Sequence, residues 1–233
     1  MLINKVKLAS SSLAETKAFY LNRLGGTLQE EGPDSFAIKI GSSELVFTQT
    51  NSEKNPFYHF AFNIPSNQFQ EAKRWVTALT PLNTEEGEDE VYFSHINAHS
   101  LYFTDPSGNI VELIARHSIS PESKEPFTMD SLLSIGEINV TTGDIDDVGQ
   151  KLMDVNIPLR DGETLNPEGL SFMGSDGAFL LLGKPGRRWF FSERHAEIHP
   201  LMIEIDFKTR ITQDRTGVIH VSPLNEKGLS QKG

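Results

Sequence analysis

The sequence predicts an α+β protein: paired β-α-β-β-β units forming an open eight-stranded cup, followed by a third, incomplete β-α-β-β-β unit. Three observations predict it. The runs KVKLASS from Lys5, HFAFNIP from His59 and EINVTTG from Glu137 share period-2 alternation, with apolar pairs Val6/Leu8, Phe60/Phe62 and Ile138/Val140. A helical pattern follows each run, and short strand-like runs follow each helix. Each first strand also opens on a charged or titratable residue: Lys5, His59 or Glu137.

In the first unit, SLAETKAFYLNRLGG places Leu13, Phe19, Tyr20 and Leu24 on one helix face, and Gly25-Gly26 stops the helix. Strands follow at about 27–31, SFAIKI and ELVFTQT. In the second unit, SNQFQEAKRWVTAL is capped by Ser66 or Asn67 and gathers Phe69, Ala72, Trp75, Val76 and Leu79 on one side. Its strands are EVYFSHI, SLYFTD and NIVELIAR. The stretch SISPESKEP reads as a linker. In the third unit, DIDDVGQKLMDVN is capped by Asp144, and LSFMG and AFLLLGK are the following strands. The segment PGRRWFFSERHAEIHP reads as a lid or as an extension packing on the third unit, because Pro200 argues against a helix that would pair His195 with His199. A strand LMIEIDF follows. The expected divisions are a two-unit domain at 1–118, a linker at 119–130, the incomplete unit at 131–207, and a tail at 208–233 with one apolar patch, GVIHV, and a loose polar end.

Composition narrows the function. A hydrophobic content of 37% builds a core, and a formal charge of −11 argues against nucleic acid and anionic membranes as partners. With no cysteine, thiolate metal sites and cysteine nucleophiles are excluded. The start MLINKVKLASSS has no apolar run of signal-peptide type, and no stretch approaches the roughly 20 apolar residues of a membrane span. A cytoplasmic protein with a small-molecule substrate or ligand is the expectation.

The stretch LYFTDPSGNIVELIAR carries the chemistry. Asp105 to Asn109 are turn formers between two strands. Glu112 alternates with Ile110 and Ile114 on one face while Val111, Leu113 and Ala115 line the other. Both faces look buried, so the carboxylate needs a proton, a cation or donors.

Repeated β-α-β-β-β units, FYHFAF upstream and YFTDPSGNIVEL downstream, resemble the vicinal oxygen chelate superfamily, in the manner of its uncharacterised bacterial members. That group includes glyoxalase I, bleomycin-resistance proteins, fosfomycin-resistance enzymes and extradiol ring-cleaving dioxygenases. The resemblance is good over 1–116 and partial over 130–183. It implies that two paired units line a cup, and that first and last strands supply His or Gln, His and Glu to one divalent metal, such as Fe, Mn, Ni or Zn. His59 and Glu112 match two ligand positions. Lys5 stands at a third, where a protonated amine cannot ligate, and Val46 or Phe47 stands near the fourth, with Glu44 and Gln49 offset.

Two functions follow from the resemblance. One is a glyoxalase- or dioxygenase-type enzyme, a metal-dependent lyase or isomerase, with an incomplete site at His59 and Glu112. The other is a metal-free, drug-sequestering type of binding protein in which a Lys5–Glu112 pair with His59 beside it replaces the metal. The residues leave both open, along with an ordinary core role for His59. His99, and less so His95, stands at the pocket edge as a proton-transfer candidate, with a solvated turn as the alternative. Tyr102 can point its hydroxyl into the cup or pack in the core. Glu137 is either a solvent-facing strand residue or the carboxylate of a second half-cup, which a homodimer would close.

Overall fold

The computed structural model describes residues 1–52 and 54–224. The first unit is β1 (Ile3–Ser10), α1 (Leu13–Ala18), β2 (Leu28–Gly32), β3 (Ser35–Ile40) and β4 (Ser43–Gln49). The second is β5 (His59–Ile64), α2 (Phe69–Thr77), β6 (Val91–Phe93), β7 (Ala98–Thr104) and β8 (Ile110–Arg116). The third is β9 (Ser134–Thr141), α3 (Ile145–Met153), β10 (Leu170–Ser175) and β11 (Ala178–Gly183). Three further strands follow: β12 (Leu201–Ile205), β13 (Thr209–Gln213) and β14 (Ile219–Pro223). No helix among the described residues is long and apolar enough to cross a membrane.

Local chemistry sets the boundaries. A π-helical turn, Phe19–Arg23, extends α1 and buries Phe19 and Tyr20. The chain then leaves through Gly25 at φ 79°, a conformation glycine adopts without strain. Asp144 caps α3 by accepting from Asp147 N at 3.0 Å. The expected cap of α2 differs. Neither Ser66 nor Asn67 caps it, and Asn67 instead exchanges bonds with Ser123 O and N at 2.8 and 2.9 Å, which pins the linker to the unit. α2 buries Phe69, Ala72 and Val76, and α3 buries Ile145, Val148 and Leu152, so both follow helical spacing. Phe60 and Phe62 of β5 and Ile138 and Val140 of β9 belong to the same core cluster.

The α+β class and the cup of repeated units are observed, but the pairing of the units differs from the expectation. β5 runs antiparallel to β9, with Phe60 opposite Ile138 and Ala61 opposite Glu137. β1 runs antiparallel to β12, with Val6 opposite Ile203. Unit two therefore pairs with unit three, and unit one pairs with the C-terminal strands, which act as an abbreviated fourth unit. One cup follows the order β6-β7-β8-β5-β9-β11-β10 and the other β2-β3-β4-β1-β12-β13-β14, so each has seven strands rather than eight. Only the pair Ile3–Ile135 joins β1 to β9. The physical reason is that alternation fixes a strand's buried face but not its neighbour. The buried Leu201, Ile203 and Ile205 give β12 the same alternation as the other first strands, and no helix marks it as one. Residues 208–224, expected as part of a tail, are mostly β13 and β14. The polar end expected to be loose falls at 225–233, outside the described residues.

Candidate functional site

On β5, Phe60, Phe62 and Ile64 pack into the core, so alternation turns His59, Ala61 and Asn63 to the opposite, cup face. Glu112 of β8 and Tyr102 of β7 are direct cross-strand neighbours and share that face. Across the seam, Glu137 of β9 stands opposite Ala61. One donor atom from each of His59, Glu112 and Glu137 lies within 4.8 Å of the others, and all three residues are buried. They line a cavity of about 530 Å³ together with Tyr102, Leu181 and Trp189.

Two of the three donors, His59 and Glu137, are held from behind. His59 Nδ1 lies 3.1 Å from Ile110 O, and a carbonyl only accepts, so Nδ1 carries the proton and Nε2 presents its lone pair to the cavity. His59 N donates to Asn139 Oδ1 at 2.9 Å. Arg116 Nη2 donates to Glu137 Oε1 at 2.5 Å, and Arg116 Nε donates to Asn63 Oδ1 at 3.2 Å. Asn63 in turn donates to Gly177 O at 2.9 Å.

Burial dominates the electrostatics. It lowers His59 to about 4, with the charge of Arg187 contributing in the same direction. Burial, then the charge of Glu137, raises Glu112 to about 8. The 3.4 Å contact between His59 Nε2 and Glu112 Oε2 therefore joins two neutral groups rather than an ion pair. Burial, then the neighbouring acidic residues Glu112 and Glu137, raise Tyr102 well above the usual phenol value, so its hydroxyl keeps its proton.

A strap, residues 184–200, closes the cup on its way from β11 to β12. The Trp189 ring sits 4.8 Å from that of His59, and Phe191 stacks on Tyr102 at 4.7 Å. Glu85 fastens the strap by an ion pair with Arg188 and by accepting from Phe191 N at 2.9 Å. Asn83 Nδ2 adds a bond to Phe191 O at 3.0 Å.

The sequence-predicted residues divide clearly. His59, Glu112 and Tyr102 meet in the cavity, and His95 lines it as an exposed residue. Lys5 does not. Its ammonium pairs with Glu44 at 2.5 Å in the other cup, so the expected Lys5–Glu112 pair is not formed. His99 is also elsewhere. It is three residues from Tyr102 on one strand and so faces the opposite way, bonding His117 at 2.8 Å. Buried Glu137 is no solvent-facing residue, and the half-cup that closes over it is unit two of the same chain rather than a dimer partner. Arg116 escaped the sequence reading, and Arg187 and Trp189 were read only as part of a lid or extension, without a place in this cavity. Arg116 had a signal, since 112, 114 and 116 alternate onto one face.

Register completes the site. Glu112 lies opposite Ala61, two residues after His59, and Leu181 lies opposite Asn139, two residues after Glu137. Leu181 thus stands where a fourth donor would be, and that wall is apolar. The residues present fit a divalent ion: one neutral imidazole nitrogen and two carboxyl groups converge, and His59 and Glu137 are each oriented by a bond or ion pair behind them.

Residues 2–113 match the family model described as Glyoxalase/Bleomycin resistance protein/Dioxygenase superfamily, and residues 135–187 match one described as Toxoflavin-degrading enzyme. A curated relative, metallothiol transferase FosB of Staphylococcus epidermidis (strain ATCC 12228 / FDA PCI 1200), is 27% identical over 116 residues, 48% of this chain and 79% of that protein. A putative dioxygenase from Bacillus subtilis subsp. subtilis str. 168 superposes with a TM-score of 0.55 at 13% identity, over 78% of this chain and 63% of its own. Lactoylglutathione lyase from Agrobacterium tumefaciens gives 0.41 at 23% identity, over 48% of this chain and 91% of its own. Residues 2–113 thus carry the sequence of the glyoxalase/bleomycin resistance protein/dioxygenase superfamily, the vicinal oxygen chelate group, and the fold of repeated units agrees with it.

Proposed function

We propose that the protein is a divalent-metal-dependent enzyme that transforms a small oxygenated molecule in the cup between units two and three, with His59, Glu112 and Glu137 holding the ion. The observation that carries this reading is the convergence of the three buried donors within 4.8 Å. The relative named a metallothiol transferase supports metal use. The match to the toxoflavin-degrading model supports degradative chemistry, because residues 135–187 contain the wall that unit three contributes, Glu137 and Leu181 included.

A divalent ion at these donors supplies Lewis acidity to substrate oxygens and stabilises negative charge developing on them. The chain's own residues do the rest. Leu181 leaves one side of the centre free of protein donors. Tyr102, kept protonated, offers a hydrogen-bond donor beside Glu112. Trp189 and Phe191 cover the mouth and limit water, which strengthens every electrostatic contact inside. Both the glyoxalase-type and the ring-cleaving reaction use such a centre, and the three donors meet the ligand number that the ring-cleaving type needs.

The test is metal content. Protein loaded with Mn, Fe, Ni or Zn and then desalted should retain about one ion per chain, for at least one of these metals, as a facial three-donor site predicts. His59→Ala, Glu112→Ala and Glu137→Ala should each lose it. A wild type that retains none of the four metals, yet gains melting temperature with a small ligand, would make the protein a metal-free binder.

A further inference from the structure

We propose that the cavity takes a flat, negatively charged small molecule and that Arg187 is the residue that reads its charge. This deepens the proposed function: the charge balance of the cavity rests on its metal ion, and the Arg187 contact stands without it.

Four arginines stand in or against the cup, and three are already matched. Arg116 is paired with Glu137, Arg160 with Glu163 at 2.9 Å, and Arg188 with Glu85. Arg187 lines the cavity and makes no ion pair among the described residues. Its one hydrogen bond there runs from Nη1 to Arg188 O at 3.2 Å, which uses one of a guanidinium's five N–H donors. The group rests over the indole of Trp189 at 5.1 Å, so its plane is braced while its polar edge stays unspent. A partly buried guanidinium with unspent donors favours an oxyanion, which it can meet in two parallel bonds.

Charge counting points the same way. Glu137 is matched by Arg116. A divalent ion at the three donors therefore meets one unmatched carboxylate, Glu112, and keeps a formal surplus of one positive charge. Arg187 adds a second. A neutral or cationic ligand leaves that surplus standing in a cavity with apolar walls, and an anionic one removes it. The protein as a whole is at −11, so the positive patch is local and runs against the overall balance. Flatness comes from the walls: Tyr102, Phe172, Trp189 and Phe190 present aromatic surface to the cavity, and such surface binds planar rings well.

The experiment uses three ring probes of one shape and different charge: 2-naphthoate, 2-naphthamide and 2-naphthylmethylamine. Their affinities are measured calorimetrically on the full chain, metal-free and Mn-loaded. In the wild type, naphthoate should bind about tenfold tighter than the amide, and the amine weakest, as one charge-assisted contact predicts. Arg187→Gln should bring acid and amide to within about twofold while the amide's own affinity stays unchanged, and Arg187→Lys should restore part of the preference. An unchanged amide affinity shows that the variant is folded and its ring site intact. Equal affinities in the wild type, no naphthoate binding in either form, or a preference that survives Arg187→Gln each overturns the proposal. Metal loading is read separately, so a protein that holds no Mn but keeps the Arg187-dependent preference refutes the metal reading and leaves the anion subsite standing.

Discussion

Arg116 and Glu137 leave only 4% and 8% of their side chains exposed. Two charges in that setting hold each other, and removing one strands the other in low dielectric. Arg116→Met in the metal-free protein should therefore cost about 3–5 kcal/mol in urea-unfolding free energy, the range for breaking one partner of a buried pair. The double variant Arg116→Met/Glu137→Gln should recover much of that loss, because no unpaired charge remains. A loss that is the same in single and double variants would assign the cost to packing of the Arg116 stem against Phe179, over which the guanidinium sits at 5.4 Å. Loss of orientation should also show in the metal titration. Arg116→Met frees the Glu137 carboxylate to rotate, and affinity for the ion should fall on the order of tenfold, as it does when a residue that orients a metal ligand is lost.

The Asp105–Asn109 turn and the strap are the two elements that position the cup. The turn is buried between units one and two. Asp105 accepts from Asn109 N at 2.9 Å and from Tyr20 Oη at 3.0 Å, Gly108 takes φ 81°, and Ser107 bonds Ser10 and Thr16 at 2.7 Å. Burial raises Asp105 to about 6 despite these donors. A folded-state value above the unfolded one, about 3.9, means the fold favours the protonated form. That contribution is present below pH about 4 and is lost as pH rises to about 6, roughly 3 kcal/mol in all. Against Asp105→Asn, which cannot titrate, the wild type should lose that much relative stability across this window, and a flat difference between the two urea curves would refute it. The strap is fastened mainly by Glu85. In Glu85→Gln, hydrogen exchange at Phe191 N–H should accelerate on the order of tenfold, the worth of a charged hydrogen bond, while β5 amides keep their protection. The turn was legible because its residues are turn formers in a row. The strap was legible as a lid or an extension but not as the cover of this cup, since nothing in PGRRWFFSERHAEIHP says which surface it crosses.

At the scale of the molecule, the chain holds two cups of the same plan and equips one. Period-2 alternation made every first strand visible and gave His59 and Glu112 their shared face. It could not tell which strands become neighbours, because β1, β5, β9 and β12 carry the same pattern, so Glu137 was seen at the right position of a unit assigned the wrong partner. The second cup shows what the first would be without donors. Lys5 lies between Glu44 on β4 and Glu204 on β12, Glu204 also bonds Arg210 at 2.7 Å, and Val46 stands opposite Lys7, where Glu112 stands relative to His59's strand. That row is a self-matched ladder of alternating charge with no coordinating set. The Lys5–Glu44 side chains are about a third exposed (31% and 30%), so water screens the pair and its worth is at most about 1 kcal/mol. Lys5→Gln should therefore leave the retained metal at its wild-type ratio and shift unfolding free energy by less than about 1 kcal/mol. Lys5→His should likewise add no second ion, since Arg210 already engages Glu204, and the imidazole with Glu44 provides two donors where a facial site needs three. Metal content rising toward two ions per chain in Lys5→His would show that the second cup retains latent donors, and a loss of metal in Lys5→Gln would mean that the two cups are coupled, through the Ile3–Ile135 pair or the buried Asp105–Asn109 turn.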